Sequence, residues 1–144
     1  MDSSREELYC QLFVEGGSRQ ELFGELLAFL GGRAEMNTIE APNMELYVDR
    51  NDERCDKKAQ DPIRGFLFYP YTVDVDPTAE TGADEYIEAV AGLVEELRRR
   101  GYRVVAASEF EDRLPIDSDR ERARRSFSDR DERADVTARK NDAN

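Results

Sequence analysis

The sequence contains no histidine and no tryptophan, and its only cysteines are Cys10 and Cys55. Without histidine there is no Ser-His-Asp or Cys-His nucleophile, no histidine-ligated zinc and no side chain whose ordinary pKa lies near neutrality. Two cysteines are too few for a cysteine-rich zinc site or a disulfide scaffold. We therefore find no catalytic signature, and we expect neither a metal nor a cofactor.

Long apolar runs are also absent. No stretch approaches the roughly 20 apolar residues needed to span a bilayer, and the charged N-terminus does not resemble a signal peptide. We therefore expect a cytoplasmic protein with reduced thiols and no membrane partner. A length of 144 residues suits a single domain with one core.

Negative charge is abundant and unevenly distributed. The chain has 33 acidic and 21 basic side chains, a net charge of −12. Residues 1–110 hold 23 acidic and 12 basic side chains, whereas residues 111–144 hold 10 and 9. The last segment has few large apolar side chains with which to offset its ordering entropy. We predict one domain over residues 1–115 and a mixed-charge, disordered tail over residues 116–144.

Apolar periodicity predicts the elements of this domain. Alternation indicates strands, and apolar residues spaced three and four apart indicate helices. The first helix begins at a capping box formed by Ser18 and Glu21, and the second ends at Gly101. The predicted elements are, in chain order, a strand at 8–15, a helix at 18–30, a short strand at 36–40, a strand at 44–49, a strand at 65–76, a helix at 83–100 and a strand at 102–108.

This order is typical of an α+β, ferredoxin-like split βαβ fold. We expect an antiparallel sheet of four or five strands, with two helices on one face and the other face open. Pro70 lies within the strand predicted at 65–76, so we expect a bulge or an exposed donor side there. The facing of Phe66 and Phe68 stays undecided for that reason.

The open sheet face is the candidate binding surface. Alternation places aromatic and acidic side chains on it together, with Asp74 and Asp76 as further candidates. RNA-recognition domains stack bases on aromatics at this face, but a nucleic-acid surface needs Lys or Arg to neutralise phosphates. We therefore expect no nucleic-acid partner; the aromatics either cover the sheet or bind a protein. The candidate partner-binding residues are Tyr9, Phe13, Glu15, Glu45, Tyr47, Asp49 and Asp52.

Three stretches carry a resemblance to known proteins: GFLFYPYTVDVD at 65–76, EYI at 85–87 and VVAASEFEDRLP at 104–115. Over roughly residues 8–115 the chain resembles small actinobacterial proteins of no assigned activity. It is also similar to the small acidic immunity proteins that neutralise bacterial toxins. No functional residue follows from this resemblance.

We therefore expect a non-enzymatic domain that binds a basic protein, such as a nuclease-type toxin. Its carboxylates would steer association and its aromatics would anchor the complex. An alternative is a small metal-independent ferredoxin-like enzyme, of the isomerase or oxygenase type, with Tyr69 or Tyr71 in a pocket between sheet and helices. A third interpretation is a homodimer that pairs its open sheet faces, so the expected state is a monomer or a homodimer.

Overall fold

The structure is a computed structural model that describes residues 7–115. These residues form an antiparallel six-stranded sheet and two α-helices. The predicted disorder of residues 116–144 lies outside the described residues. No helix in the described part is long and apolar enough to cross a bilayer. The elements are, in chain order, β1 (Cys10–Glu15), α1 (Arg19–Leu30), β2 (Arg33–Glu35), β3 (Thr38–Glu40), β4 (Met44–Arg50), β5 (Tyr71–Pro77), α2 (Ala83–Arg99) and β6 (Arg103–Ser108).

The strands lie in the order β2-β3-β4-β5-β1-β6, and each neighbouring pair is antiparallel. The connection that contains α1 leads from β1 to strands on the far side of β5. The connection that contains α2 leads from β5 to β6, with β1 between them. The sheet has six strands, one more than the largest number that we predicted.

The additional strand is β2, which forms a hairpin with β3 at the edge of the sheet. All three β2 residues are exposed. A strand at a sheet edge needs only backbone hydrogen bonds with one neighbour, so it can form without a row of buried side chains. Periodicity of apolar residues, the signal on which the sequence prediction rested, is therefore missing from β2.

The two helices begin and end close to where the sequence predicts. The Ser18 hydroxyl accepts a hydrogen bond from the Glu21 backbone N–H at 3.1 Å, as expected of a capping box. Gly31 ends α1 with φ 68°, the left-handed conformation that favours glycine. In α2 the predicted apolar stripe is confirmed, since all six of its residues are buried: Tyr86, Ile87, Val90, Leu93, Val94 and Leu97.

The main core lies between the helices and one face of the sheet. The alternation predicted for β1 and β4 is confirmed, because the inward side chains of both strands are at most 1 % exposed. The Tyr86 hydroxyl donates to the Val75 carbonyl at 3.0 Å, and its ring packs edge-to-face on Phe110. The inward sheet residues are Cys10, Leu12, Val14, Ile39, Met44, Leu46, Val48, Val73, Val75 and Val104.

The segment predicted as one long strand at 65–76 is divided. Residues Gly65–Phe68 form a 3-10 helix, and β5 begins only at Tyr71. Pro70 therefore stands before the strand and removes no donor from the ladder. Its carbonyl accepts a hydrogen bond from the Asn51 backbone N–H at 2.8 Å.

The described chain ends against α2 and β6. Phe110 and Leu114 are buried in the main core. The Arg98 guanidinium donates to the Pro115 carbonyl at 2.9 Å and to the Val104 carbonyl of β6 at 2.8 Å. One side chain thus joins the second helix, the edge strand and the last described residue.

Candidate protein-binding face

The outer face of the sheet, opposite the helices, is covered at one end by the chain itself. The connection between β4 and β5, residues 51–70, folds over Phe13, Val105 and Ala107. We call this part the covered half. The face that we expected to be fully open is therefore open only over β3, β4, β5 and the start of β1.

The covered half is a second, smaller apolar cluster. Phe13 is 8 % exposed and meets Phe66 edge-to-face, with ring centroids 5.3 Å apart. Tyr69 is 3 % exposed, and the Arg103 guanidinium lies 5.6 Å from its ring centroid. Such aromatic pairs contribute free energy beyond the area that they bury. Phe66, whose facing the sequence left undecided, thus packs towards the sheet.

Asn51 holds the covering segment in place. It is the buried polar residue of the described chain, at 7 % exposure. Its Nδ2 donates to the Leu67 carbonyl and to the Tyr69 carbonyl, both at 2.8 Å, and its Oδ1 accepts from the Glu53 N–H at 3.0 Å. At the other end of the segment, a Cβ on Gly65 would come within 2.4 Å of the Ala59 carbonyl oxygen, so this close approach requires glycine.

The uncovered part of the outer face carries carboxylates and tyrosines. Its members come from three neighbouring strands, β3, β4 and β5, and from the residue just before β1. We call this surface the acidic half and define it by six residues: Tyr9, Glu40, Glu45, Tyr47, Asp74 and Asp76.

Three of these carboxylates stand in one row across the sheet. Glu40 of β3 lies opposite Glu45 of β4, which lies opposite Asp76 of β5. All three are exposed. Within the described residues none of them makes an ion pair. Directly opposed side chains have Cβ atoms about 4.5–5.5 Å apart, and like charges at that spacing destabilise a sheet.

The next row holds Tyr47 of β4 opposite Asp74 of β5, which lies opposite Gln11 of β1. The Asp74 carboxylate accepts hydrogen bonds from the Tyr9 hydroxyl at 2.6 Å and from Gln11 Nε2 at 3.1 Å. Burial, together with Asp74, raises the pKa of the Tyr9 hydroxyl, so Tyr9 remains a donor. Partial desolvation, and secondarily Asp74, raises the pKa of Asp76.

Both tyrosines of the acidic half keep part of their rings in solvent. Tyr9 is 40 % exposed and Tyr47 is 43 % exposed. The Tyr47 hydroxyl has no hydrogen-bond partner among residues 7–115. A tyrosine with an exposed ring and an unpaired hydroxyl can offer both apolar area and a hydrogen bond to a partner.

The structure brings together only some of the residues that the sequence predicted for this site. Tyr9, Glu45 and Tyr47 lie in the acidic half. Phe13 lies beneath residues 51–70, so it cannot be a surface anchor in this conformation. Glu15 is at the opposite end of β1, where its carboxylate pairs with Arg103 at 3.4 Å.

The two aspartates predicted for the site lie beside it. The Asp49 carboxylate accepts a hydrogen bond from the Arg50 backbone N–H at 2.8 Å. Asp52 is exposed at the start of the covering segment. Sequence reasoning missed Glu40, although the alternation of Thr38, buried Ile39 and Glu40 would have placed it on the outer face.

The two tyrosines proposed for an enzyme pocket, Tyr69 and Tyr71, contact other parts of the fold instead. Tyr69 is buried in the covered half. The Tyr71 hydroxyl donates to the Gly17 carbonyl at 3.0 Å. Among the described residues, no three Cys, Asp or Glu side chains are grouped so that they could hold a metal ion. No family model, no curated protein and no solved structure matches this chain.

Proposed function

We propose that this protein is a non-enzymatic binding domain that engages a basic protein through its acidic half. The observation that carries the proposal is the row of three exposed carboxylates, Glu40, Glu45 and Asp76, directly opposed on neighbouring strands. Arg33 of β2 lies opposite Glu40, but Glu45 stands between two carboxylates, an arrangement that opposes the stability of the sheet. A partner that supplies cations turns the same row into a source of affinity.

The flanking tyrosines support the same proposal. Binding energy at protein interfaces is concentrated in a few aromatic and arginine side chains that become fully desolvated. Tyr9 is held in place by its hydrogen bond to Asp74, so little side-chain freedom remains to be lost when its ring is covered. Tyr47 of β4 adds a second ring on the other side of Asp74, next to the carboxylate row.

The class of partner that fits best is a basic protein that itself binds phosphates, because carboxylates on a rigid sheet can imitate an anionic ligand. A nuclease-type toxin meets this requirement, and the domain would then act as an immunity-type inhibitor. Acidic charge would also raise the association rate with such a partner. We place this activity in the cytoplasm, and we propose no cofactor for it.

We propose further that the fold is ferredoxin-like, with the β2–β3 hairpin as an addition. Without the hairpin, the order of elements is β1-α1-β4-β5-α2-β6, and the sheet order is β4-β5-β1-β6. Each helix then connects two strands that are separated by a third, which is the split βαβ connection. The hairpin extends the sheet at the β4 edge and contributes Glu40 to the acidic half.

Affinity capture from a lysate of the native organism, followed by quantitative mass spectrometry, tests the proposal. The full chain is compared with the triple variant Glu40→Gln, Glu45→Gln and Asp76→Asn. We expect the wild type to enrich basic proteins that the triple variant does not retain. A matched control carries three equivalent charge changes on exposed positions of α2, at Glu85, Glu88 and Glu95.

The control variant should capture the same proteins as the wild type. Equal capture by all three forms would contradict the proposal, and so would capture that falls equally in both variants. Binding of RNA by the wild type at physiological salt would contradict it as well, because the acidic half presents carboxylates to phosphates and its neighbouring cation, Arg33 of β2, lies opposite Glu40.

Kinetics with a captured partner would separate the two parts of the interface. The triple variant should associate more slowly, with a weaker dependence on salt, since exposed charges act mainly on encounter. Tyr47→Ala should instead raise the dissociation rate, because it removes an anchor. Light scattering of the wild type decides the homodimer alternative: a stable dimer whose subunits cover the acidic half would leave no surface for this partner.

A further inference from the structure

A groove on the helix side of the molecule concentrates three features that are unfavourable for the isolated fold. It lies between the first half of α1 and the turn that joins β2 to β3, and its volume is about 230 Å³. Its lining residues are Arg19, Gln20, Phe23, Gly24, Met36 and Asn37.

The first feature is an incompletely satisfied cation. Arg19 Nη2 donates to the Val48 carbonyl at 3.2 Å, which fixes the guanidinium beside the groove. Its Nε is buried and has no hydrogen-bond partner within residues 7–115. Arg19 also makes no ion pair with any described residue. A buried donor without a partner is unfavourable, and a charged one more so.

The second feature is a glycine inside α1. Glycine is the least favourable helix residue after proline, and a packing contact with a neighbour usually explains it. A Cβ on Gly24 would meet no atom within 4 Å. Nothing in the described fold therefore requires this glycine, and its effect is to widen the groove.

The third feature is Met36, in the turn between β2 and β3. It has φ 53°, the left-handed conformation that asparagine, aspartate and glycine adopt far more readily. Its side chain is 92 % exposed. The turn is fixed against the sheet, because the Asn37 carbonyl accepts a hydrogen bond from the Val48 N–H at 2.9 Å. A large apolar side chain is thus held in solvent at the rim of the groove.

We propose that this groove binds small carboxylates that carry an aromatic or branched aliphatic body, with Arg19 on the carboxylate and Phe23 and Met36 against the body. Features that oppose the stability of a fold gather at sites of function, and here all three border one space. The volume is below the range of drug-sized sites, so a ligand of about ten non-hydrogen atoms suits it.

The net acidity of the chain does not oppose an anion at this place. Charges more than about 8 Å apart are largely screened at physiological salt. The nearest acid along the helix, Glu21, has its carboxylate beside Gly17 at the start of α1. Among the residues that line the groove, Arg19 is the one that carries a charge. This inference is independent of the proposed protein partner.

Methyl NMR of the full chain, labelled with ¹³C-methyl methionine, tests the proposal with phenylacetate as the probe. Met36 reports on the groove, and Met44, which is 1 % exposed in the core, is the internal control. We expect phenylacetate to shift the Met36 signal with a Kd of about 1–10 mM, as befits a ligand of this size. Met44 should stay unchanged. Phenylacetamide, which has the same shape without the charge, should bind at least about tenfold more weakly.

Two variants make the test specific. Arg19→Gln should weaken phenylacetate binding at least about tenfold, and Gly24→Leu should abolish it by filling the groove. An unchanged Met44 signal shows that each variant is folded. The glycine pair Gly24→Ala and Gly92→Ala provides a thermal control, because a Cβ at either helix position meets nothing within 4 Å.

Both alanine variants should raise the melting temperature by about 4 °C through helix propensity, and only the Gly24 variant should weaken the probe. The proposal is overturned if about 20 mM phenylacetate leaves Met36 unshifted, a concentration above the affinity expected for such a ligand. It is equally overturned if phenylacetamide binds as well as phenylacetate, or if Gly24→Leu binds like the wild type.

Discussion

The two halves of the outer sheet face use the same kind of surface in opposite ways. In the covered half, Phe13 of β1 is packed beneath a segment of its own chain and is 8 % exposed. In the acidic half, Tyr47 of β4 occupies an outward position of the same sheet and is 43 % exposed. An aromatic residue on the outside of a strand is therefore not by itself a sign of an interface. What distinguishes the halves is the charge around the aromatic residue and the chain available to cover it.

The largest expected difference in stability between the two halves comes from replacing Phe13 and Tyr47 themselves. Phe13→Ala should lower the free energy of unfolding by about 3 kcal/mol, since it leaves a cavity beneath the covering segment. Tyr47→Ala, the matched change in the acidic half, should lower it by less than about 1 kcal/mol because Tyr47 is already 43 % exposed and its removal leaves no closed cavity. Urea denaturation of both variants checks this. Equal losses would mean that the acidic half is also packed.

A smaller effect is expected from the side chain that holds the cover. Asn51→Ala should destabilise the protein by about 2 kcal/mol, because it removes the donor that serves the Leu67 and Tyr69 carbonyls. Asn43→Ala is the control, since Asn43 is exposed and its side chain has no described hydrogen bond. Hydrogen exchange should show faster opening of residues 51–70 in the Asn51 variant. Unaltered exchange there would mean that other contacts hold the cover.

In the acidic half we expect a substitution to raise the free energy of unfolding rather than to lower it. Because the folded pKa of Asp76 is raised, the native state holds this proton more tightly than the unfolded chain. Stability is therefore lost as the pH rises from the ordinary carboxyl range through the folded pKa. Asp76→Asn should stabilise the protein at neutral pH by about 0.5 kcal/mol, the scale of a cross-strand pair.

That gain should shrink as the pH falls below about 4, because the wild-type carboxyl then becomes protonated in both states. Denaturation of the two proteins at both pH values provides the measurement. Asp52→Asn, which removes one charge from the exposed loop, should leave stability unchanged at either pH. A gain of the same size in Asp52→Asn would trace the effect to net charge rather than to the desolvation of Asp76 and its neighbour Asp74.

The smallest effect is expected from removing the residues that follow Pro115. Because residues 117–144 have little apolar surface, we predict that truncation after Pro115 leaves the melting temperature nearly unchanged. A fall of more than about 8 °C, roughly 1–2 kcal/mol for a domain of this size, would contradict this. It would indicate that the last segment covers the acidic half as residues 51–70 cover the other half.

The helix side of the fold could be predicted because its signals are periodic. The inward residues of β1 and β4 and the stripe of α2 repeat at the spacing of their elements, and all are buried as expected. The start of α1 could also be predicted, from the capping residue Ser18. These elements rest on a strong local pattern that the core reinforces.

The outer face could be predicted only in part. Tyr9, Glu45 and Tyr47 follow from alternation, whereas the covering of Phe13 depends on how residues 51–70 fold back, which no local pattern specifies. Gly65–Phe68 has the composition of a strand but forms a 3-10 helix, from which Phe66 and Phe68 pack onto the sheet instead of extending it. Tertiary contacts overrode strand propensity there.

The hydrogen bonds of Arg98 have a consequence for how copies of this protein behave towards one another. The border strands of a sheet offer unpaired backbone groups on which foreign strands can add, and this is a common beginning of aggregation. At β6, the Arg98 guanidinium donates hydrogen bonds both to the Val104 carbonyl and to the Pro115 carbonyl. At the opposite border, β2 has only three residues, two of them charged. In the described part of the chain, both borders thus carry a feature that shortens or interrupts the free ladder, and each such feature opposes growth of the sheet from one molecule to the next.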